Sequence, residues 1–189
     1  MNISDLIDND IECVREYCTR LIAFAEASSP DFVPAKSRRT KTLQYLPINI
    51  AHLVRPDLIS NMYALLDFRL KTLCEHHHRA GRAAQTFAEF RRNDKGRTSD
   101  LARYKKYFQT VASIDLQPVQ ESYKHIDKMR RVRNAYMHSG GYADEETASA
   151  IGDVPGVYIA ASLLIVTNEY VHASLDHVAT YLNAIAQAY

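Results

Sequence analysis

The stretch that decides the fold is PVQESYKHIDKMRRVRNAYMHSGG, residues 118–141. Pro118 indicates a helix start, because proline is favoured in the first turn of a helix. Apolar side chains then recur at steps of three and four, the spacing of one helix face: Val119, Tyr123, Ile126 and Met129. Gly140 and Gly141 supply the left-handed residue with which helices commonly end. The stretch therefore predicts a helix over about 118–138.

Helical spacing continues on both sides of this stretch. A long last helix is predicted from apolar residues that follow a seven-residue pattern: Leu164, Val171, Leu175, Val178, Leu182, Ile185 and Tyr189. Toward the N-terminus, the pattern predicts a helix over 3–27 and a second that opens at Pro56-Asp57 and ends at Gly81. A weaker segment follows at 83–93, and a further helix, capped by Ser99 or Asp100, is predicted over 100–113.

The remaining segments are predicted to be connections. Residues 28–56 contain four prolines, too many for a continuous helix. Residues 142–156 have the composition of a loop, and 157–159 favour a very short extended piece. The whole chain, residues 1–189, is therefore predicted to be a single all-α domain, a four- to five-helix bundle with a long C-terminal helix.

Composition limits the class of protein. A chain of 189 residues, with 47% hydrophobic and 24% charged residues, is ordinary for one soluble globular domain. No apolar run approaches the roughly 18 residues that span a bilayer, and the acidic N-terminus lacks the pattern of a secretory signal. Three cysteines without CxxC spacing favour reduced core thiols. We therefore expect a cytoplasmic protein that does not associate with membranes.

Charge is unevenly distributed along the chain. The net charge is +1, yet residues 91–133 hold twelve Lys or Arg side chains against five Asp or Glu side chains. Such asymmetry favours an anionic partner for one face, although solvated helix faces would explain it equally well. Because the chain as a whole is not basic, coating of extended duplex DNA is disfavoured.

Arg133 and His138 lie five positions apart at the end of the helix predicted over 118–138. An arginine presents a fork of donors that suits phosphate, and histidine transfers protons near neutral pH. Arg133 follows Met129 on the apolar stripe, where its charge needs an anion, a crevice or a partner chain. His138 lies about 140° further round an ideal helix. The two side chains would meet within one chain only if the helix unwound at Ser139-Gly140-Gly141.

The segment from Arg133 to His138, followed by a glycine pair, resembles the Arg-x(4–6)-His signature of the HEPN superfamily, in which Asn commonly follows the arginine. A small helical bundle with the motif late in the chain agrees with that family. The resemblance implies a metal-independent endoribonuclease without a cofactor. It also implies a homodimer whose two motifs form one composite site. Many such proteins are toxins of toxin–antitoxin pairs or anti-phage defence effectors, so the resemblance adds an antitoxin protein as a partner.

The implied reaction is attack of an RNA 2′-hydroxyl on the neighbouring phosphate, which leaves a 2′,3′-cyclic phosphate. His138 would move the protons, and Arg133 would neutralise charge on the phosphoryl oxygens. Asn134 would support the motif, and Asp67, beside the apolar stripe of the second helix, would be the acidic partner of Arg133. The candidate RNA contacts are basic side chains on the polar side of the motif helix: Lys128, Arg130 and Arg131.

Several alternatives stay open. The bare spacing is not specific, since Arg69 to His76 and Arg131 to His138 also satisfy it. A catalytically silent HEPN-like module that binds RNA or protein through the basic face is the second interpretation.

Two further features bear on regulation and metal binding. Some HEPN toxins are modified on a tyrosine two positions beyond the histidine. That position is Gly140 here, which leaves regulation through Tyr136 or Tyr142 open. The run His76-His77-His78 predicts no metal site, because consecutive helical residues point about 100° apart.

Overall fold

The computed structural model describes residues 2–27, 50–96, 98–152, 154–160 and 162–188. Within them the chain forms seven α-helices and one two-stranded antiparallel sheet. The elements in chain order are α1 (Ile3–Ala27), α2 (Ile50–Arg79), α3 (Phe87–Asn93), α4 (Asp100–Thr110), a 3-10 turn (Gln117–Val119), α5 (Gln120–Ser139), α6 (Glu145–Ile151), β1 (Val157–Ala160), β2 (Leu163–Val166) and α7 (Asn168–Gln187). The predicted all-α class and the long C-terminal helix are confirmed.

Four long helices form an up-down-up-down bundle in the order α1, α2, α5, α7. Ion pairs join Arg69 to Asp10 and Arg55 to Glu26, which makes α1 and α2 antiparallel. Helix α7 runs antiparallel to α1, as shown by the cross-helix pairs Arg15–Asp176 at 2.9 Å and Asp8–Asn183 at 2.8 Å. It is also antiparallel to α5, through the pairs Ser122–His177 and His125–Ser174. The motif helix α5 therefore packs between α2 and α7.

The core lies between these four helices. The side chains that are fully buried there come from every long helix: Ile7, Met62, Leu70, Ile126, Tyr170 and Leu182. Burial of each large apolar side chain contributes about 1.5–3 kcal/mol relative to exposure. Cys18 and Cys74 are buried, as predicted, and burial raises the pKa of the Cys18 thiol to about 11. Cys13 is exposed, so its prediction as a core thiol is wrong.

Helix α2 begins earlier than the sequence predicted. Pro56 lies inside the helix rather than at its start, and residues 50–56 of the predicted connection are helical. An interior proline costs about 3 kcal/mol because it removes a backbone hydrogen bond. Packing offsets this cost: Ala51 is buried, and Arg55 donates a hydrogen bond to Asn168 at 2.6 Å. Residues 28–49 of the predicted connection lie outside the described residues.

Two elements between α5 and α7 were not predicted. Helix α6 occupies part of the predicted loop; Asp144 caps it by accepting the Thr147 N–H at 2.8 Å, and Ile151 is buried. Leu164 lies in strand β2, although the apolar pattern had assigned it to the last helix. The extended piece predicted at 157–159 is confirmed and pairs with β2, Val157 opposite Val166. Both elements lie next to the end of the motif helix.

Helices α3 and α4 pack against each other and against α2. Thr86 and Glu89 form a capping box at the start of α3, with the Thr86 N–H donating to Glu89 at 2.8 Å. Ser99 caps α4, as predicted, by accepting the Ala102 N–H at 3.2 Å. No helix among the described residues is long and apolar enough to cross a membrane.

Candidate functional site

Arg133 lies at the edge of the core rather than in its centre. The buried line of α5 passes through Met129, Val132 and Ala135, so Val132 takes the core position that the apolar pattern gave to Arg133. The Arg133 side chain is half-buried, with its guanidinium carbon 5.8 Å from the centre of the Tyr63 ring. Because α2 and α5 are neighbours in the bundle, this aromatic contact joins two long helices.

Arg133 uses few of its N–H donors in hydrogen bonds to the described residues. One terminal nitrogen donates to Oδ1 of Asn134 at 3.1 Å, so Asn134 contacts the arginine. The Nε atom is buried without a hydrogen-bond partner in the part of the chain that the structure describes. A buried guanidinium donor without a partner costs several kcal/mol unless an anion or water completes it. Arg133 is thus suited to receive an anion.

Asp67 does not pair with Arg133. Its two carboxylate oxygens accept hydrogen bonds from the Tyr104 hydroxyl at 3.1 Å and from the Lys71 ammonium at 2.6 Å. No ion pair between Asp67 and Arg133 occurs among the described residues. The predicted acidic partner is replaced by Tyr63, one helical turn earlier on α2. The sequence pattern correctly predicted that α2 contacts the arginine, but the contacting residue is Tyr63 and not Asp67.

The other arginines of α5 are paired with an acid. Arg130 and Arg131 both donate to Asp127, at 2.9 Å and 3.1 Å, so part of their charge is neutralised. Both side chains still reach solvent, as does Lys128, for which the described residues provide no ion pair. Residues 128 and 131 lie one helical turn apart, whereas residue 130 lies about 160° round the helix from residue 128. Asp127 neutralises part of the positive charge of Arg130 and Arg131, an effect that residue spacing did not predict.

The competing arginine-to-histidine spacings also differ from Arg133 in their surroundings. Arg69 is mostly buried and held by Asp10 of α1, which gives it a structural ion pair between helices. Arg131 shares Asp127 with Arg130. Arg133 has no carboxylate partner among the described residues. Spacing could not separate these three arginines, whereas their neighbours do.

His138 is exposed on the last turn of α5. The helix stays regular through Ser139, and Gly140 ends it in the left-handed conformation with φ 59°. The helix does not unwind at Ser139-Gly140-Gly141, so the condition under which His138 would turn back toward Arg133 within one chain is not met. The two side chains lie on different sides of the helix, so one chain presents the arginine and the histidine separately.

Tyr136 fixes the turn that follows the motif. Its hydroxyl donates to the carbonyl of Leu164 in β2, and its ring packs against Gly141. The Leu164 N–H donates back to the Gly141 carbonyl at 2.9 Å, which ties the glycine turn to the sheet. Burial raises the pKa of Tyr136 to about 12. Tyr136 is therefore a packing residue, while Tyr142 is more than half exposed beside the same turn.

The three consecutive histidines do not converge. His77 is buried and its Nε2 lies 3.2 Å from the Ile185 carbonyl, while Nδ1 of His78 lies 3.0 Å from the Ala83 carbonyl. The described residues contain no group of three or more His, Cys, Asp or Glu side chains arranged to hold a metal.

A second histidine cluster lies between α5 and α7 and was not predicted. The rings of His125 and His177 stack with their centres 4.2 Å apart. Each ring contacts a buried serine of the opposite helix, His125 with Ser174 at 3.0 Å and His177 with Ser122 at 3.1 Å. The pKa of His125 is lowered to about 4, mainly by burial and to a smaller extent by nearby His177 and Lys128. No local signal connects residues fifty positions apart, so the cluster follows from helix packing.

Comparison of the chain with known protein families, with curated proteins and with solved structures finds no match.

Proposed function

We propose that this protein is a metal-independent endoribonuclease of the HEPN type. The observation that supports the proposal best is the state of Arg133: a half-buried guanidinium with an unpartnered Nε and no carboxylate partner among the described residues. In the proposed reaction Arg133 neutralises charge on the scissile phosphate, and His138 transfers protons to and from the 2′-hydroxyl and the leaving oxygen. Asn134 holds the guanidinium from the side.

The separation of Arg133 and His138 within one chain supports a homodimeric site. Arg133 of one protomer and His138 of another would act on the same phosphate, so each chain supplies half of the site. The partly buried basic side chains of α5 that still reach solvent would hold the RNA on either side of it: Lys128, Arg130 and Arg131. The proposed setting is the cytoplasm, as a toxin restrained by an antitoxin protein or as an anti-phage effector.

The test is cleavage of RNA by the purified protein in EDTA. Wild-type protein should leave 2′,3′-cyclic phosphate ends, and His138→Ala should lower the rate by about 10²–10⁴-fold. Arg133→Ala should lower it by about 10²–10³-fold, the usual loss on removing one group that stabilises developing charge. Arg20→Ala is the control and should keep wild-type activity, because Arg20 is exposed on α1, pairs with Glu16 and belongs to no part of the proposed site. Strict dependence on magnesium, or full activity of Arg133→Ala, would contradict the proposal.

The homodimeric site has a separate test. Mixing inactive Arg133→Ala with inactive His138→Ala should restore part of the activity, because one mixed site then contains an intact arginine and an intact histidine. Each variant should first be shown to exchange subunits by mass spectrometry. Exchange without recovery of activity would mean that the two residues do not act across an interface.

A catalytically silent module that binds RNA or protein is the second candidate. It is favoured by His138, which is exposed on the last turn of its helix and makes no side-chain hydrogen bond to the residues that the structure describes. Expression in a bacterial host separates the two candidates. A ribonuclease should arrest growth, and Arg133→Ala and His138→Ala should each relieve the arrest. Equal and harmless expression of all three, with RNA or protein binding retained, would favour the silent module.

A further inference from the structure

Arg133 contacts the aromatic ring of Tyr63. Tyr63 lies on α2, and the Arg133 guanidinium carbon is 5.8 Å from its ring centre. This is within the roughly 6 Å over which a cation is attracted to a ring face. The Tyr63 hydroxyl makes no hydrogen bond to any described residue, so the ring, not the phenol oxygen, provides the contact.

An aromatic face holds a cation differently from a carboxylate. A carboxylate accepts two of the five N–H donors of a guanidinium and neutralises its charge. A ring face attracts the cation through its quadrupole and accepts none of the in-plane donors in conventional hydrogen bonds. Arg133 therefore keeps both its charge and most of its donors while its position is restrained. A phosphate could then bind without first displacing an acid.

The charged side chains around Arg133 are paired with other residues. Asp67, one turn along α2, accepts hydrogen bonds from Tyr104 and Lys71. Arg130 donates a hydrogen bond to Asp127. Burial raises the pKa of Tyr63 to about 12, although the guanidinium groups of Arg130 and Arg133 lower it in part. The phenol is thus neutral at physiological pH and does not form an ion pair with Arg133.

We propose that Tyr63 is the positioning residue of Arg133: its ring restrains the guanidinium so that the free N–H donors face the phosphate of the RNA. This inference rests on the proposed function for the identity of the anion. The restraint of the guanidinium does not depend on the proposed function, because the restraint is a property of the free protein. The mobility of Arg133 and the cleavage of RNA can therefore be measured separately.

The experiment compares Tyr63→Phe, which keeps the ring, with Tyr63→Leu, which removes it. The first readout is the mobility of the Arg133 Nε–H group by ¹⁵N relaxation, with the signal assigned by its loss in Arg133→Lys. The second readout is kcat and KM for RNA cleavage in EDTA. Far-ultraviolet circular dichroism confirms the fold of each variant, and Tyr63→Met replaces Tyr63→Leu if the latter does not fold.

Tyr123→Leu is the matched control. Its ring also holds a cation, with the Lys105 ammonium 4.2 Å from the ring centre, and it lies on α5 away from Arg133. It should leave the Arg133 signal and kcat unchanged. Tyr63→Phe should behave as wild type, whereas Tyr63→Leu should mobilise Arg133 and lower kcat by about 10- to 100-fold, the scale expected for a misplaced group.

The outcomes distinguish this inference from the proposed function. Equal losses in Tyr63→Phe and Tyr63→Leu, or an Arg133 signal that stays ordered in Tyr63→Leu, would overturn the role of the ring. A wild-type protein that cleaves no RNA, together with mobilisation of Arg133 in Tyr63→Leu alone, would overturn the ribonuclease and uphold the positioning role.

Discussion

Replacement of Gly141 by alanine should destabilise the protein more than the same replacement at Gly140. Both glycines have positive φ, 59° at Gly140 and 86° at Gly141. An added Cβ at Gly140 meets nothing within 4 Å, whereas at Gly141 it would lie 2.7 Å from Cε1 of Tyr136. The Tyr136 ring cannot move away cheaply, because its hydroxyl is bound to the Leu164 carbonyl. The two positions therefore share a backbone cost and differ in a steric cost.

The magnitudes follow from these two costs. A left-handed conformation costs an alanine about 1–2 kcal/mol, which is the whole effect expected for Gly140→Ala. Overpacking adds about 1–3 kcal/mol, so Gly141→Ala should cost about 2–5 kcal/mol in all. The measurement is the free energy of unfolding from urea denaturation of the three proteins. Gly81→Ala, with φ 72° and nothing within 4 Å of its Cβ, is a second control away from the motif.

A double-mutant cycle identifies the clash. In a Tyr136→Leu background the ring is gone, and the costs of Gly140→Ala and Gly141→Ala should become equal within about 0.5 kcal/mol. Equal costs already in the wild-type background would refute the reasoning, because they would mean that Tyr136 does not pack against the glycine turn.

Three further predictions concern α5. Because the pKa of His125 is about 4 in the folded protein and about 6.5 when unfolded, protonation favours unfolding. Stability should therefore be full above pH 6.5 and fall by about 1–2 kcal/mol between pH 6.5 and pH 4, after allowance for partial exposure; His125→Gln should flatten that part of the profile measured by urea denaturation. Tyr136→Phe leaves the carbonyl of β2 without its donor and should cost about 1–3 kcal/mol in the same assay; no loss would mean that water replaces the hydroxyl. Asp127→Asn releases Arg130 and Arg131, so RNA should bind more tightly with a steeper salt dependence, by up to about 1.4 in the slope of log K against log salt; an unchanged slope in fluorescence anisotropy would show that these arginines do not contact RNA.

The end of the motif helix shows how far local sequence determines structure. Proline near the start, apolar residues at steps of three and four, and two glycines at the end predicted a helix over 118–138, and α5 ends at Ser139 with Gly140 left-handed. Ser99 was likewise identified as a cap. Helix α6 could have been found in the same way, since an N-cap aspartate followed by Glu145 and Glu146 is a local start signal.

The limits of the sequence appear where contacts between distant residues compete with local preference. Pro56 disfavours a helix interior by about 3 kcal/mol, yet Ala51 and Arg55 pack well enough to extend α2 through it. Leu164 fits the seven-residue pattern of the last helix, yet pairing with β1 places it in a strand. Periodicity cannot predict either result, because it depends only on residues close in sequence and not on contacts with other elements of the core.

The sequence by itself determined the all-α class, the four long helices and the arginine and histidine at the end of one of them. Those features depend on backbone geometry and on residues three or four positions apart, so a linear chain specifies them. Only the tertiary structure decided the neighbours of the arginine: Tyr63 in place of Asp67, and no carboxylate paired with Arg133 among the described residues. The physical reason is that α2 packs beside α5 in the bundle, and a shift of one helical turn along α2 exchanges a carboxylate for an aromatic ring.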